Sequence, residues 1–128
     1  MNQKAINTLV NQTISEIGEI DVDQRTSLGK LNYLSLEVIF YSESGNSFGR
    51  YYKREHDSII EVFEFREDLP FHNELVNFLN EKDLKNYYNT LFEFLKPKLE
   101  SSLGFNIGEL PIEILSDNGF YRRIGYQS

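Results

Sequence analysis

Two histidines, His56 and His72, are the only imidazoles in a chain without cysteine, so thiol chemistry is excluded and imidazole acid–base or metal chemistry falls to these two rings. His56 stands in the charged run Lys-Arg-Glu-His-Asp and His72 lies two residues after Pro70. Neither has a second histidine, or an acidic residue, at the spacing with which a helix holds a metal ion. A general base also needs an orienting partner. Glu55 and Asp57 flank His56, but neighbours along a strand point to opposite faces and serve it poorly. His56 reads as a solvated loop residue, and no catalytic role is assigned to either ring.

The remaining candidates fail on chemistry. Asp21 and Asp23 suggest calcium, yet Gln-Arg-Thr-Ser follows, without the further oxygen ligands, mid-loop glycine or terminal glutamate such a loop requires. Residues 45–49 (GNSFG) carry two glycines but no Lys-Ser/Thr pair and no helix behind them, so they read as a hairpin loop rather than a phosphate cradle. Hydrolysis by paired carboxylates needs two of them in one cleft with separated pKa values. Glu61 and Glu64, three apart on one strand, fall on opposite faces, while Glu37 is free to meet a neighbour across the sheet. Arg122 and Arg123 put one guanidinium on each face of the last strand. No metal, cofactor or catalytic residue is expected.

The chain that must position these groups has 128 residues, enough for one domain with one core. Absence of cysteine excludes disulfide frameworks, thiolate zinc sites and thiol catalysis. Aromatic residues make up 14%, which argues against disorder because such rings need burial or partners. The first ten residues hold no apolar run of signal-peptide length and no small-residue cleavage site. No stretch approaches the roughly 18 consecutive apolar residues of a membrane span. A cytoplasmic protein is expected.

Periodicity orders the elements. Ile6, Leu9, Val10, Thr13, Ile14 and Ile17 recur at helical spacing and Gly18 closes the pattern, predicting an amphipathic helix over 4–17. Residues 18–30 are polar and read as a loop anchored by Ile20 and Val22. Residues 31–41, 48–54 and 58–66 alternate with period two and most simply form an antiparallel three-strand meander. Beyond Pro70, Leu75, Val76, Phe78 and Leu79 predict a short helix capped by Asn73. A second helix capped by Asp83 follows, with a stripe of Leu84, Tyr87, Tyr88, Leu91, Leu95 and Leu99 widened by Phe92 and Phe94. Pro97 should kink it or restart it, and Gly104 should end it. Segments 111–115 and 120–126 flank Ser116 to Gly119, where Asn118-Gly119 predicts a closing hairpin. Three helices covering an antiparallel sheet give a two-layer α+β sandwich in one domain, 1–128.

Charge is the strongest surface signal. The net charge is −7, and residues 31–70 alone hold eight acids against four bases. Such a field repels phosphate backbones and anionic lipid while steering a basic protein inward, so neither nucleic acid nor membrane is expected as a partner. Glu61, Glu64, Glu67, Asp68 and Asp57 are interspersed with aromatic residues and lie near Tyr51 and Tyr52. Rings for residence and acids for encounter rate make this the candidate partner-binding surface.

The closing run Ile112-Glu113-Ile114-Leu115-Ser116-Asp117-Asn118-Gly119-Phe120 through Tyr126, with the strand at 34–41 and the helix at 91–103, resembles the YezG-like family of bacterial immunity proteins. These proteins belong to polymorphic and contact-dependent growth-inhibition toxin systems. The family usually carries a tryptophan before that hairpin; here Phe105 stands nearest its place. The resemblance implies a non-enzymatic antitoxin that neutralises a cognate toxin domain, often a nuclease, by stoichiometric binding. That toxin is expected to be basic, and the antitoxin a monomer or weak homodimer. An acidic adaptor or secretion-chaperone-like module, and a carboxylate-dependent hydrolase, are the alternatives.

Overall fold

The structure, a computed structural model, describes residues 1–28, 33–40, 47–55, 59–107, 115–117 and 120–127; side chains are described for 1–21, 48–53 and 61–107. It is α+β, with three helices and antiparallel strand pairing.

Helix α1 spans Gln3–Ile17. The Asn2 side chain accepts the Ala5 amide at 2.9 Å, quieting one of the unpaired first-turn donors. Ile6, Val10, Thr13 and Ile17 form its buried stripe. Gly18 ends it at φ 64°, a conformation glycine tolerates, with its amide on the Ile14 carbonyl at 3.0 Å.

The strands are β1 (Ile20–Leu28), β2 (Tyr33–Phe40), β3 (Ser47–Glu55), β4 (Ile59–Phe65), β5 (Leu115–Asp117) and β6 (Phe120–Gln127). They lie in the order β1-β2-β3-β4-β6-β5, every pair antiparallel. The expected loop at 18–30 is therefore corrected. Residues 20–28 pair with β2 from Ile20 opposite Phe40 to Leu28 opposite Tyr33, with a register shift between Gln24 and Thr26. A strand at the border of a sheet takes its stability from backbone pairing and needs few apolar residues, so its pattern looked like loop. Gly49, which falls both in the loop reading of 45–49 and in the strand expected over 48–54, sits inside β3 opposite Phe65, as the strand reading has it. Of the rest of that expected loop, Ser47 and Phe48 also belong to β3, and residues 45–46 lie outside the described residues, as do His56, Asp57, residues 111–114 and the Asn118-Gly119 turn.

Helix α2 spans His72–Phe78 and α3 spans Glu81–Leu103. Asn80, not Asp83, caps α3, accepting the Asp83 amide at 2.8 Å; Asp83 and Glu81 occupy the first turn, where negative charge suits the helix dipole. Pro97 lies within α3, which continues through it to Gly104 at φ 82°. Asn73 does not cap α2. The cap position is Phe71, in left-handed conformation and without a side-chain bond.

Phe63 and Phe65 on β4 turn the same way and meet α3, with ring centroids 5.2 Å from Phe92 and 5.2 Å from Tyr88 respectively. Tyr51 on β3 shares that face and meets Phe105 at 5.6 Å. The core joins these rings to Ile6, Val10 and Ile17 of α1 and to Leu84, Tyr87, Leu91, Leu95 and Leu99 of α3. Phe78, expected near the buried stripe of α2, is 79% exposed, and Val76 and Phe94 are also exposed.

Candidate partner-binding surface

Adjacent residues of β3 send their phenols to opposite sides of the sheet, and each finds a glutamate on β4. The Tyr51 hydroxyl donates to Glu61 Oε2 at 2.7 Å on the helix side. The Tyr52 hydroxyl donates to Glu64 Oε1 at 2.8 Å on the other side and accepts from Arg50 Nη1 at 2.8 Å. The Arg50 guanidinium stands 5.7 Å from the Tyr52 ring centre. Desolvation, ahead of the opposing pull of Arg50 and the push of Glu64, raises the Tyr52 pKa above its ordinary value.

This geometry redistributes the residues expected to meet a partner. Tyr51, Glu61 and Glu64 are buried, at 0%, 7% and 3% exposure, and are unavailable for direct contact. Tyr52 is half-buried. Glu67 and Asp68 are exposed, and Asp57 lies outside the described residues. Burial of the two glutamates is tolerable because each carboxylate has a phenolic donor. A run of acids gives no sign of that in sequence, since the donors sit ten and twelve residues away. Glu61 and Glu64 lie on opposite faces of the sheet, so these two carboxylates cannot converge on one cleft. Among the described residues no group of three His, Asp or Glu is placed to hold a metal ion.

The exposed Glu67 and Asp68 lie at the corner where β4 leads into α2. Here Leu69 is buried and its amide bonds the Arg66 carbonyl at 3.1 Å. Pro70 follows, then Phe71 at φ 64°. His72 turns back inside at 5% exposure; its amide bonds the Leu69 carbonyl at 3.1 Å, and its Nδ1 lies 2.6 Å from the Tyr88 hydroxyl. Two buried anchors three residues apart thus hold a turn that presents Phe71 outward, 41% exposed. A non-glycine residue with positive φ is uncommon and costs of order 1–2 kcal/mol, a strain that recurs at binding sites. Burial, opposed by the nearby Glu67 carboxylate, lowers the His72 pKa below its ordinary 6.5.

Phe71 forms one wall of a shallow depression of about 690 Å³ whose other lining residues are Thr8, Asn11, Gln12, Ser15 and Glu16 of α1. These five occupy the polar face of α1, opposite Ile6, Val10, Thr13 and Ile17. Acids outnumber bases around this corner. Residues 8–19 and 67–80 hold Glu16, Glu19, Glu67, Asp68 and Glu74, all exposed, and no lysine or arginine, while Arg66 and Lys82 flank the second segment. Phe78, four residues beyond Glu74 on the same side of α2, adds a second exposed ring.

Sequence reasoning missed Phe71, Phe78 and the polar face of α1. An exposed left-handed phenylalanine has no periodic signature, and the two segments are fifty residues apart. The Pro70 that precedes Phe71, a strong local stop, was the available signal.

Among the described residues, no helix is long and apolar enough to cross a membrane. No protein-family model matches the chain, and neither a curated protein nor a solved structure matches it.

Proposed function

We propose that this protein acts by binding a basic protein partner, and that it is a cytoplasmic immunity protein of the YezG-like kind that neutralises a cognate bacterial toxin domain, a basic nuclease in the reading adopted here. The observation that carries the proposal is the acidic corner: five exposed carboxylates and no cation in residues 8–19 and 67–80, the two segments that frame an outward-facing, strained Phe71. One-signed charge accelerates encounter with a basic partner, and exposed rings supply the desolvated anchors on which affinity depends. Neutralisation by occlusion needs only a well-packed interface of ordinary size and no turnover.

The finer architecture belongs to the same reading. It takes 31–66 as the antiparallel meander and 111–126 as a closing hairpin, with the helices as the second layer of a sandwich. The sheet then serves as the plate that fixes the β4–α2 corner against α1.

Co-expression with the toxic domain encoded by a neighbouring reading frame tests the proposal. Restored growth, together with a one-to-one complex whose association slows steeply with salt, is the expected result. Unrelieved toxicity with no complex would sink it.

A further inference from the structure

The geometry points to the depression between α1 and Phe71 as the seat of an arginine side chain from the protein partner. The inference rests on the binding reading above only for the partner being a protein.

Three properties of the lining select arginine. The exposed Phe71 ring offers a planar face, and a guanidinium stacks on such a face while carrying its charge over the ring. Opposite it the lining is rich in acceptors: the Glu16 carboxylate, the Asn11 and Gln12 amide oxygens, and the Thr8 and Ser15 hydroxyls. The Thr8 hydroxyl proton is committed to the Lys4 carbonyl at 3.0 Å, so its oxygen is offered to a ligand as an acceptor. Five N–H donors in a rigid fork use several such acceptors at once, whereas a lysine ammonium has three donors at one point. Finally, the surrounding potential is negative: Glu16, Glu19, Glu67 and Asp68 are exposed, and Lys4 is the only cation on α1.

The site is also pre-set. Leu69 and His72 are buried on either side of Phe71 and fix the turn, and Val10, Thr13 and Ile17 fix the orientation of α1. A backbone turn held in place loses little freedom on binding, which favours affinity.

The test is a titration of the full chain with acetyl-Gly-Arg-Gly-amide, followed by backbone amide chemical shifts, with lysine and citrulline peptides as controls. Saturable shifts centred on Thr8, Asn11, Gln12, Ser15, Glu16 and Phe71 are expected, with arginine binding about threefold or more tighter than lysine and citrulline weakest. Phe71→Gly, which removes the ring while suiting the left-handed backbone, should weaken arginine binding about fivefold, and Glu16→Gln should do the same. Shifts scattered over the acidic surface, equal response to arginine and lysine, or indifference to both substitutions would overturn the subsite. The two proposals fail separately. Arginine binding here without toxin neutralisation removes the antitoxin reading and leaves the subsite. Neutralisation unaffected by Phe71→Gly and Glu16→Gln does the reverse.

Discussion

The His72 Nδ1 and the Tyr88 hydroxyl lie 2.6 Å apart, both enclosed, and their bond ties the first turn of α2 to the first third of α3. The Tyr88 ring is in turn held by Phe65 at 5.2 Å and Tyr87 at 5.1 Å, so the imidazole is fastened to the centre of the core.

Acidification should weaken this tie. Burial lowers the His72 pKa from 6.5, so below that value the unfolded chain takes up a proton that the folded chain resists. Stability contributed by the neutral ring is present above about pH 6.5 and is lost as pH falls toward the lower folded value. Thermal melting between pH 7.5 and 5 should show a steeper loss for the parent than for His72→Gln. Equal slopes would show that the ring is not charged on unfolding.

Phe71 should separate stability from binding. Phe71→Gly and Phe71→Ala both delete the ring, but alanine keeps the left-handed penalty that glycine escapes. The glycine variant should therefore be more stable than the alanine variant by about 1 kcal/mol in urea unfolding. An alanine variant at least as stable would show that the turn carries no such strain.

Between α1 and α3, Thr13 Oγ1 donates to the Leu9 carbonyl at 3.1 Å, so its other neighbour, the Tyr87 hydroxyl, is the donor in their mutual bond. Both residues are fully buried, and desolvation pushes the Tyr87 phenol up to about 12. Tyr87→Phe and Thr13→Val should each cost about 1 kcal/mol, while the double variant should cost clearly less than the sum. A double-mutant cycle by urea denaturation measures this, and strict additivity would show that the two hydroxyls do not support each other.

Gly49 lies under the Phe63 ring: a Cβ there would come 2.8 Å from Phe63 Cζ and 3.3 Å from the Glu64 carbonyl oxygen. Phe63 is itself 5.0 Å from Phe65 and 5.2 Å from Phe92 by ring centres and has little room to move. Gly49→Ala should destabilise by about 1–3 kcal/mol through overpacking. A smaller change in melting would mean that the rings shift together at low cost.

Much of this was legible in the residue order, for a physical reason in each case. Ile6, Val10 and Ile17 are apolar at helical spacing and α1 forms there; Phe63 and Phe65 alternate with polar neighbours and both meet α3. The pattern failed where backbone pairing or side-chain bonding does what burial of hydrocarbon does elsewhere. Strand β1 is polar because its partner supplies hydrogen bonds. Glu61 and Glu64 are internal because tyrosines satisfy them, and His72 is internal because Tyr88 does. The candidate site depends on a left-handed Phe71 set beside α1. No local rule of sequence encodes that proximity.

The strand order also bears on how the protein is made. Strand β6 lies between β4 and β5, yet α2 and α3 separate β4 from β6 along the chain. During synthesis, at roughly 5–20 residues per second, residues 59–65 wait for several seconds before their partner at 120–127 is translated. Through that interval one border of β4 carries unpaired backbone, and the nascent chain is most open there to the wrong neighbour. The sheet can accordingly close on that side only in a late step, once residues 120–127 are free to pair with 59–65.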